Sequence, residues 1–336
     1  MTRKQLLIST ALIALAVIVL LIVPDEPRPT YRKCKGQVFG TYYAIQYEGV
    51  SDLTDSIHAL FADFDASMSM FNPSSVLSRI NQGADSTADE YFIEMYHTAN
   101  EINRLSGGAF DITVAPLVNL WGFGLENRAH VTQEQVDSIL PHIGQDKLIL
   151  NEAVVRKTDP RVMIDAGAIA KGQCCDVVAA LFSRNGSANY LVDIGGEVVA
   201  EGNNPQQQPW RIGITRPQDD LSGAVNDIQT VLQTTHIALA TSGNYRNFYY
   251  DGKQKRSHTI DPRSGYPVQH NLLSATVRST SCMRADALAT ACMVLGEEEA
   301  MNMIEADSLS ACYLIVADVP AGADSIVMRV IQSSRW

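Results

Sequence analysis

The chain of 336 residues lacks the short patterns that identify several large enzyme and binding classes. Its six cysteines include no CxxC pair, which argues against a zinc site or a disulfide framework and favours small buried side chains. It has no GxxxxGK[ST] loop, GxGxxG fingerprint or GxSxG elbow, so common nucleotide-binding and serine-hydrolase signatures are missing. Positive charge is also scarce, because 26 Lys and Arg against 37 Asp and Glu give a net charge of −11. An acidic surface repels a phosphate backbone, so we expect no nucleic-acid partner.

The overall composition is that of a globular protein. Hydrophobic residues make up 46% of the chain and charged residues 19%, which excludes a disordered, collagen-like or multi-span transporter chain. About 300 residues remain after an apolar N-terminal segment, enough for one large domain or two lobes around a sizeable core.

The apolar N-terminal segment predicts a membrane anchor or signal segment over residues 1–23. Residues 6–23 contain only Ser9 and Thr10 as polar members, and as a helix they would span roughly 27 Å. Arg3 and Lys4 precede the run, so the positive-inside rule predicts a cytoplasmic N-terminus and a translocated domain. No small-residue cleavage site follows the run, which favours an uncleaved anchor over a signal peptide.

The segment after the anchor is predicted to be a tether. Residues 24–35 are rich in proline and charge, so we expect a linker there and a folded domain over residues 36–336. Cys34 raises the alternative of a lipoprotein. It lies well beyond the apolar run and follows Tyr31-Arg32-Lys33 rather than small apolar residues, so this alternative is less favoured.

Periodicity predicts interspersed helices and strands. Helices are predicted over residues 51–67, 89–105, 168–182 and 284–294. Strands are predicted over residues 38–47, 162–164, 190–194, 198–201, 210–214, 228–235, 237–241, 273–277 and 313–317. Residues 112–124 lose periodicity and are predicted to be an ordered loop. Clustered strands without regular βαβ alternation predict an α+β (mixed α/β) fold.

The first candidate site is the stretch from Asp165 to Gly172. A carboxylate leaves a strand end, small residues let the backbone approach a ligand, and Lys171 follows in the first helical turn. A helix N-terminus and a lysine together suit an anion such as phosphate. The alternative is Asp165 as a helix cap with Lys171 solvated.

The second candidate site is the pair Asp286 and Thr290, which are four residues apart on one face of a predicted helix. A carboxylate and a hydroxyl suit magnesium or calcium, which usually keep waters or substrate phosphates in the remaining positions. The alternative is an aspartate that matches the helix dipole.

The third candidate site lies at the run from Ser257 to Pro267. His258 could carry a proton, since its reference pKa lies near 6.5. A structural histidine is an equal alternative. Asp261 precedes proline and is more simply a turn former.

Together these segments resemble the ApbE family, the FAD:protein FMN transferases, over residues 36–296. The resemblance rests on eight motifs that occur in order. They are Phe39-Gly40-Thr41, Ser106 to Val114 leading to Trp121-Gly122-Phe123-Gly124, Asp165 to Gly172, Asp193-Ile194-Gly195-Gly196-Glu197, Trp210 to Ile214, Thr241-Ser242-Gly243, Ser257 to Pro262, and Ala285 to Thr290.

The resemblance implies a fold of two lobes around a central FAD cleft and a magnesium-dependent enzyme. Such an enzyme splits FAD and joins FMN to a threonine of an acceptor protein, releasing AMP. The metal ligands implied are Asp286, Thr290 and the carbonyl of Ala168. The FAD contacts implied are Phe39, Phe71, Ala109, Phe110, Asp111, Asp165, Lys171 and Ile260. For the general base, His258 is the leading candidate and Asp286 the second.

The resemblance also implies partners and a location. Family acceptors include extracytoplasmic subunits of Rnf and Nqr redox pumps, so we expect an enzyme anchored in a bacterial inner membrane with its catalytic domain in the periplasm. Two alternatives remain: an FAD pyrophosphatase that gives FMN and AMP, and a non-enzymatic FAD-binding protein.

Overall fold

The computed structural model describes residues 28–124, 131–217, 227–244, 248–251, 254–318 and 327–336. The predicted anchor or signal segment, residues 1–23, lies outside these ranges. Within them, every helix is too short or too polar to cross a bilayer.

The described elements alternate irregularly along the chain. The helices are α1 (Thr54–Met68), α2 (Val76–Gln82), α3 (Glu90–Leu105), α4 (Ala115–Leu120), α5 (Gln133–Ile139), α6 (Ala170–Arg184), α7 (Cys282–Leu295) and α8 (Glu297–Ala306). The first strands are β1 (Thr30–Val38), β2 (Thr41–Gly49), β3 (Leu148–Asn151), β4 (Val154–Lys157), β5 (Tyr190–Ile194), β6 (Glu197–Glu201) and β7 (Trp210–Thr215). The later ones are β8 (Ile228–Thr234), β9 (His236–Gly243), β10 (Phe248–Asp251), β11 (Gln254–Ser257), β12 (Leu272–Ser279), β13 (Ala311–Asp318) and β14 (Val327–Gln332).

Eight strands form one sheet in the order β1-β2-β5-β6-β9-β12-β13-β14. All neighbouring pairs in it are antiparallel. Helices and an antiparallel sheet are the components of an α+β fold, so the predicted fold class is confirmed.

Helices cover one face of this sheet. In β9, Ala238 and Ala240 belong to the main core with the helices, while Ile237 and Leu239 belong to a second cluster on the opposite face. Helix α7 is the central helix, because 12 of its 14 residues are buried. It contacts β9, β12, α3, α6 and α8.

A hairpin covers part of the opposite face. Strands β7 and β8 pair with each other, and β7 alternates buried and exposed residues. Its buried members Trp210 and Ile212 pack with Ile237 and Leu239 of β9. Both faces of the central strands are therefore covered, and the exposed side chains of β7 remain available for a binding cleft.

The start of the folded domain was predicted wrongly. Residues 30–35, assigned to the linker, form most of β1, whose basic side chains are tolerated because β1 is one of the two edge strands of the sheet that the described residues form. The predicted strand 38–47 is interrupted at Phe39 and Gly40, whose φ angles are +51° and +74°. These two residues form the tight turn that joins β1 to β2.

Two further local predictions were wrong. The predicted loop 112–124 contains α4, in which Pro116 occupies the first turn, where a proline favours a helix start. The predicted strand 162–164 is absent, and Met163 makes only a single bridge to Val114. The other predicted helices and strands are confirmed, with ends that differ by a few residues.

Candidate active site

One cleft of about 1100 Å³ gathers most of the residues predicted to bind ligands. Eleven of the twelve predicted site residues line it. They are Phe71, Ala109, Phe110, Asp111, Asp165, Ala168, Lys171, His258, Ile260, Asp286 and Thr290. A cleft of this size lies at the upper end for small-molecule sites and suits a large cofactor. The roles assigned to these residues stay predictions.

Phe39 is the predicted contact that does not line the cleft. Its ring centroid lies 5.9 Å from that of Phe61 and 5.8 Å from that of Phe64, so it packs on α1. The cleft lining begins at the next residue, Gly40.

Helices α6 and α7 cross at Gly172, which places the predicted metal and phosphate residues side by side. A Cβ at Gly172 would lie 2.3 Å from the carbonyl oxygen of Cys282, so only glycine allows this approach. The Gly172 N–H donates to Oδ2 of Asp286 at 3.1 Å. The carboxylate of Asp176 in α6 accepts the backbone N–H groups of Cys282 and Met283 at 2.9 and 2.8 Å, which joins α6 to the start of α7.

Lys171 lies between two buried carboxylates. Its Nζ is 3.1 Å from Oε1 of Glu197 and 3.7 Å from Oδ2 of Asp286. Burial alone would lower the pKa of Lys171, but the two carboxylates raise it above its ordinary value. The solvated-lysine alternative is therefore wrong. An ammonium fixed at the wall of a cleft can neutralise charge on a bound phosphate.

Glu197 is a site residue to which the sequence assigned no role. It follows a two-residue turn in which Gly195 and Gly196 have φ angles of +69° and +104°. The turn pairs Ile194 with Glu197 and so places the carboxylate at the first position of β6, inside the cleft. Burial raises the pKa of Glu197 above its ordinary value, whereas the ammonium of Lys171, 3.1 Å away, lowers it and favours the charged carboxylate. An acidic residue directly after a double-glycine turn is the signal that could have identified it.

The predicted metal ligands meet at the same wall. Asp286 is 2% exposed and lies beyond the first turn of α7, so the dipole-match alternative does not describe it. Thr290 lies one turn later, with Oγ1 3.1 Å from Oγ of Ser242 in β9. Ala168 precedes α6 in the same lining. Groups of three or more His, Cys, Asp or Glu that could hold a metal are absent from the described residues.

This donor set fits magnesium. A carboxylate, a hydroxyl and a carbonyl are hard oxygen ligands, and their small number leaves positions for waters and substrate phosphates. Oδ2 of Asp286 is used by Gly172 and Lys171, whereas no hydrogen bond reaches Oδ1 from any described residue. One carboxylate oxygen is thus available to a cation.

Two further carboxylates shape loops at the cleft. Oδ1 of Asp165 accepts the N–H of Gly167 at 2.7 Å, while α6 has no side-chain cap, so the helix-cap alternative is wrong. Asp111 accepts the backbone N–H groups of Thr113 and Gln145 at 2.7 and 2.9 Å. Burial raises the pKa of both Asp111 and Asp165.

His258 lines the cleft on a loop that is fastened to the loop after α4. The rings of His258 and Phe123 are 6.4 Å apart in an edge-on arrangement. Trp121 donates from Nε1 to the carbonyl of Gly265 at 2.8 Å. Asp261 accepts the N–H of Arg263 at 2.9 Å, as expected of a turn former. The loop can hold an imidazole beside a bound substrate.

Arg211 is a second cation that the sequence did not single out. It lies on the exposed face of β7 and lines the cleft together with Lys171. The alternation of buried and exposed residues in the predicted strand 210–214 was the available signal.

Known proteins resemble this chain over most of its length. A sequence model of the ApbE family matches residues 39–314. The protein named FAD:protein FMN transferase of Vibrio cholerae is 36% identical over 318 residues, which cover 91% of this chain and 94% of that protein. The protein of the same name from Haemophilus influenzae is 36% identical over 300 residues, which cover 84% of this chain and 85% of that protein.

Solved structures show the same fold. The flavin transferase ApbE from Vibrio cholerae superposes with a TM-score of 0.79 at 35% identity, covering 91% of this chain and 98% of that chain. The apo form of the flavinyl transferase ApbE from Pseudomonas stutzeri superposes with a TM-score of 0.80 at 28% identity, covering 92% and 96%.

Proposed function

The chain belongs to the ApbE family, and we propose that it is a magnesium-dependent FAD:protein FMN transferase that links FMN to a threonine of an acceptor protein and releases AMP. The relatives' shared name supports an enzyme of the transferase class that uses FAD as its substrate. One observation carries the finer proposal: Lys171, Asp286 and Thr290 meet in a cleft large enough for a dinucleotide.

The residues of the cleft suit cleavage of a pyrophosphate. When bound, magnesium would supply charge neutralisation on the phosphates. Lys171 adds a fixed ammonium to the same wall, and Asp286, Thr290 and Ala168 supply oxygen atoms that can hold the cation. The loop that accepts the hydrogen bond of Trp121 places His258 at the cleft, where it is the leading candidate for the general base. Asp286 is the second candidate.

The nucleophile comes from the acceptor. Its threonine oxygen forms a bond to the phosphorus on the FMN side, the bond to the AMP phosphate breaks, and the hydroxyl proton passes to the base. A cysteine of the enzyme is an unsuitable nucleophile, since all six are buried and burial raises the pKa of Cys175 to about 12.

We further propose a location and a partner class. The apolar residues 6–23 support a single anchor in a bacterial inner membrane, with the catalytic domain in the periplasm. Acceptor subunits of Rnf or Nqr type redox pumps would be reachable from there. Cys34, the alternative lipid site, is only 7% exposed in β1. Its buried sulfur would first have to become exposed before a lipid could be attached to it.

The test measures how much AMP the full-length protein releases from FAD, with the nucleotides separated and quantified by chromatography. We expect AMP release only with magnesium, and release that rises when an acceptor with a threonine-containing flavinylation motif is added. Release of FMN and AMP that ignores the acceptor would favour a pyrophosphatase. Intact FAD bound to the protein would favour a binding protein.

A further inference from the structure

The ammonium of Lys171 is shared unequally between its two carboxylates. It lies 3.1 Å from Oε1 of Glu197 and 3.7 Å from Oδ2 of Asp286, so its nearer partner is not the proposed cation ligand. Oδ2 of Asp286 has a second donor in the N–H of Gly172 at 3.1 Å. Asp286 can therefore lose Lys171 and keep a hydrogen bond.

Glu197, by contrast, has no second donor to its carboxylate among the described residues. Its side chain is 3% exposed, and Oε2 is buried without a hydrogen-bond partner in that part of the chain. Lys171 is the one salt-bridge partner that the described residues offer it. Because a buried carboxylate without a counter-charge is very unfavourable, Glu197 holds Lys171 more firmly than Asp286 does.

The charges explain why this matters for a cation. Two carboxylates and one ammonium leave a formal charge of about −1 at this wall, which attracts a dication. Without the charge of Glu197, Lys171 and Asp286 would form a neutral pair. A dication would then have to displace the ammonium from the only carboxylate of its donor set.

We propose that Glu197 is a positioning residue for cation binding: it holds Lys171 and so prevents the ammonium from closing on Asp286. Asp286 then stays open to the cation while Lys171 stays beside it for the substrate. Glu197 itself does not ligate the metal. The proposal rests on the magnesium site of the proposed function and adds to it a residue that acts through Lys171.

The experiment measures Mn²⁺ binding to the full-length protein in detergent micelles, without FAD, from the electron paramagnetic resonance signal of free Mn²⁺. Mn²⁺ accepts the same hard oxygen ligands as Mg²⁺. The variants are Asp286→Ala, Glu197→Gln, and Glu197→Gln combined with Lys171→Met. The control is Glu201→Gln, which removes a carboxylate from the other end of β6, far less buried than Glu197.

We expect Glu197→Gln to weaken Mn²⁺ binding roughly 10- to 100-fold, which is the usual effect of mutating a residue that supports a metal ligand. Adding Lys171→Met should restore most of the affinity, because the competing ammonium is gone. Glu201→Gln should bind like the wild type. Because removal of an ammonium strengthens dication binding in any background, Lys171→Met alone is measured as well. A gain that is larger in the Glu197→Gln background than in the wild type separates a positioning role from ligation or a structural role.

The other outcomes would overturn either the role of Glu197 or the metal site itself. Unchanged binding in Glu197→Gln, or a double variant that stays as weak as the single one, overturns the role of Glu197 and leaves the metal site standing. Wild-type affinity in Asp286→Ala overturns the metal site itself. If circular dichroism shows that the Gln variant does not fold, Glu197→Met replaces it, because an uncharged apolar side chain of similar length suits the buried position. Unchanged binding there would equally contradict the role.

Discussion

The closest approach of α6 and α7 gives the sharpest prediction on stability. Replacing Gly172 by alanine adds a Cβ that would lie 2.3 Å from the carbonyl oxygen and 2.6 Å from the carbonyl carbon of Cys282, and 2.8 Å from the nitrogen of Met283. Ordinary contacts begin at 3.4 Å, and these neighbours are backbone atoms that cannot rotate away. The two helices must therefore separate by about 1 Å.

The expected cost follows from that separation. Overpacking a core costs about 1–3 kcal/mol or more, while a glycine-to-alanine change inside a helix returns roughly 1 kcal/mol. With backbone on both sides of the clash, we expect Gly172→Ala to lose about 2 kcal/mol, or a melting temperature lower by about 3 °C for a folded part of about 300 residues. We also expect the rate of AMP release to fall, by more than the loss of folded protein explains. The reason is that the hydrogen bond from the Gly172 N–H to Asp286 is displaced as well.

Differential scanning calorimetry and the AMP-release assay measure the two effects. Ala180→Ser is the matched control, since it also adds one heavy atom to α6 but at an exposed position. We expect this control to stay within about 0.5 kcal/mol of the wild type. A Gly172→Ala protein that is as stable and active as the wild type would refute the close crossing of α6 and α7.

Three more predictions concern single charged groups. Asp286→Ala should abolish magnesium-dependent activity while circular dichroism shows an intact fold; full turnover would remove Asp286 from the metal site. Lys171→Ala should mainly weaken FAD binding, measured by quenching of flavin fluorescence, and unchanged affinity would contradict its role beside the phosphates. Burial raises the pKa of Asp176 to about 6, so the folded protein binds more protons than the unfolded chain between about pH 4 and 6. The contribution of Asp176 to the free energy of unfolding therefore falls by up to about 3 kcal/mol as the pH rises through this window. Denaturation measured at several pH values should show this fall in the wild type and not in Asp176→Asn.

The elements with clear periodicity could be predicted from the sequence. Helix α3 begins after Asp89, whose carboxylate accepts the N–H of Phe92, and it ends before Gly107 and Gly108. These caps are local, so the sequence carries them in full. The start of β1 could not be predicted in this way, because its basic residues are stabilised by pairing with β2 rather than by local preference.

The candidate site was predictable in its members but not in its contacts. Lys171 and Asp286 were identified from their local patterns, yet their proximity depends on the crossing at Gly172, which joins residues more than a hundred positions apart. The contact of Lys171 with Glu197 depends on the turn that starts β6 and on the packing of α6 against β6. Such distances are decided by tertiary packing, which periodicity does not describe.

The mass of the acceptor is the most direct measurement of the proposed activity. Full-length protein, FAD and magnesium would be incubated with an acceptor carrying the threonine motif and with a Thr→Val version of it, and each would be analysed by mass spectrometry. We expect a mass gain equal to one FMN group, only with magnesium and only on the threonine version. An unchanged acceptor mass while FAD is converted to FMN and AMP would contradict it.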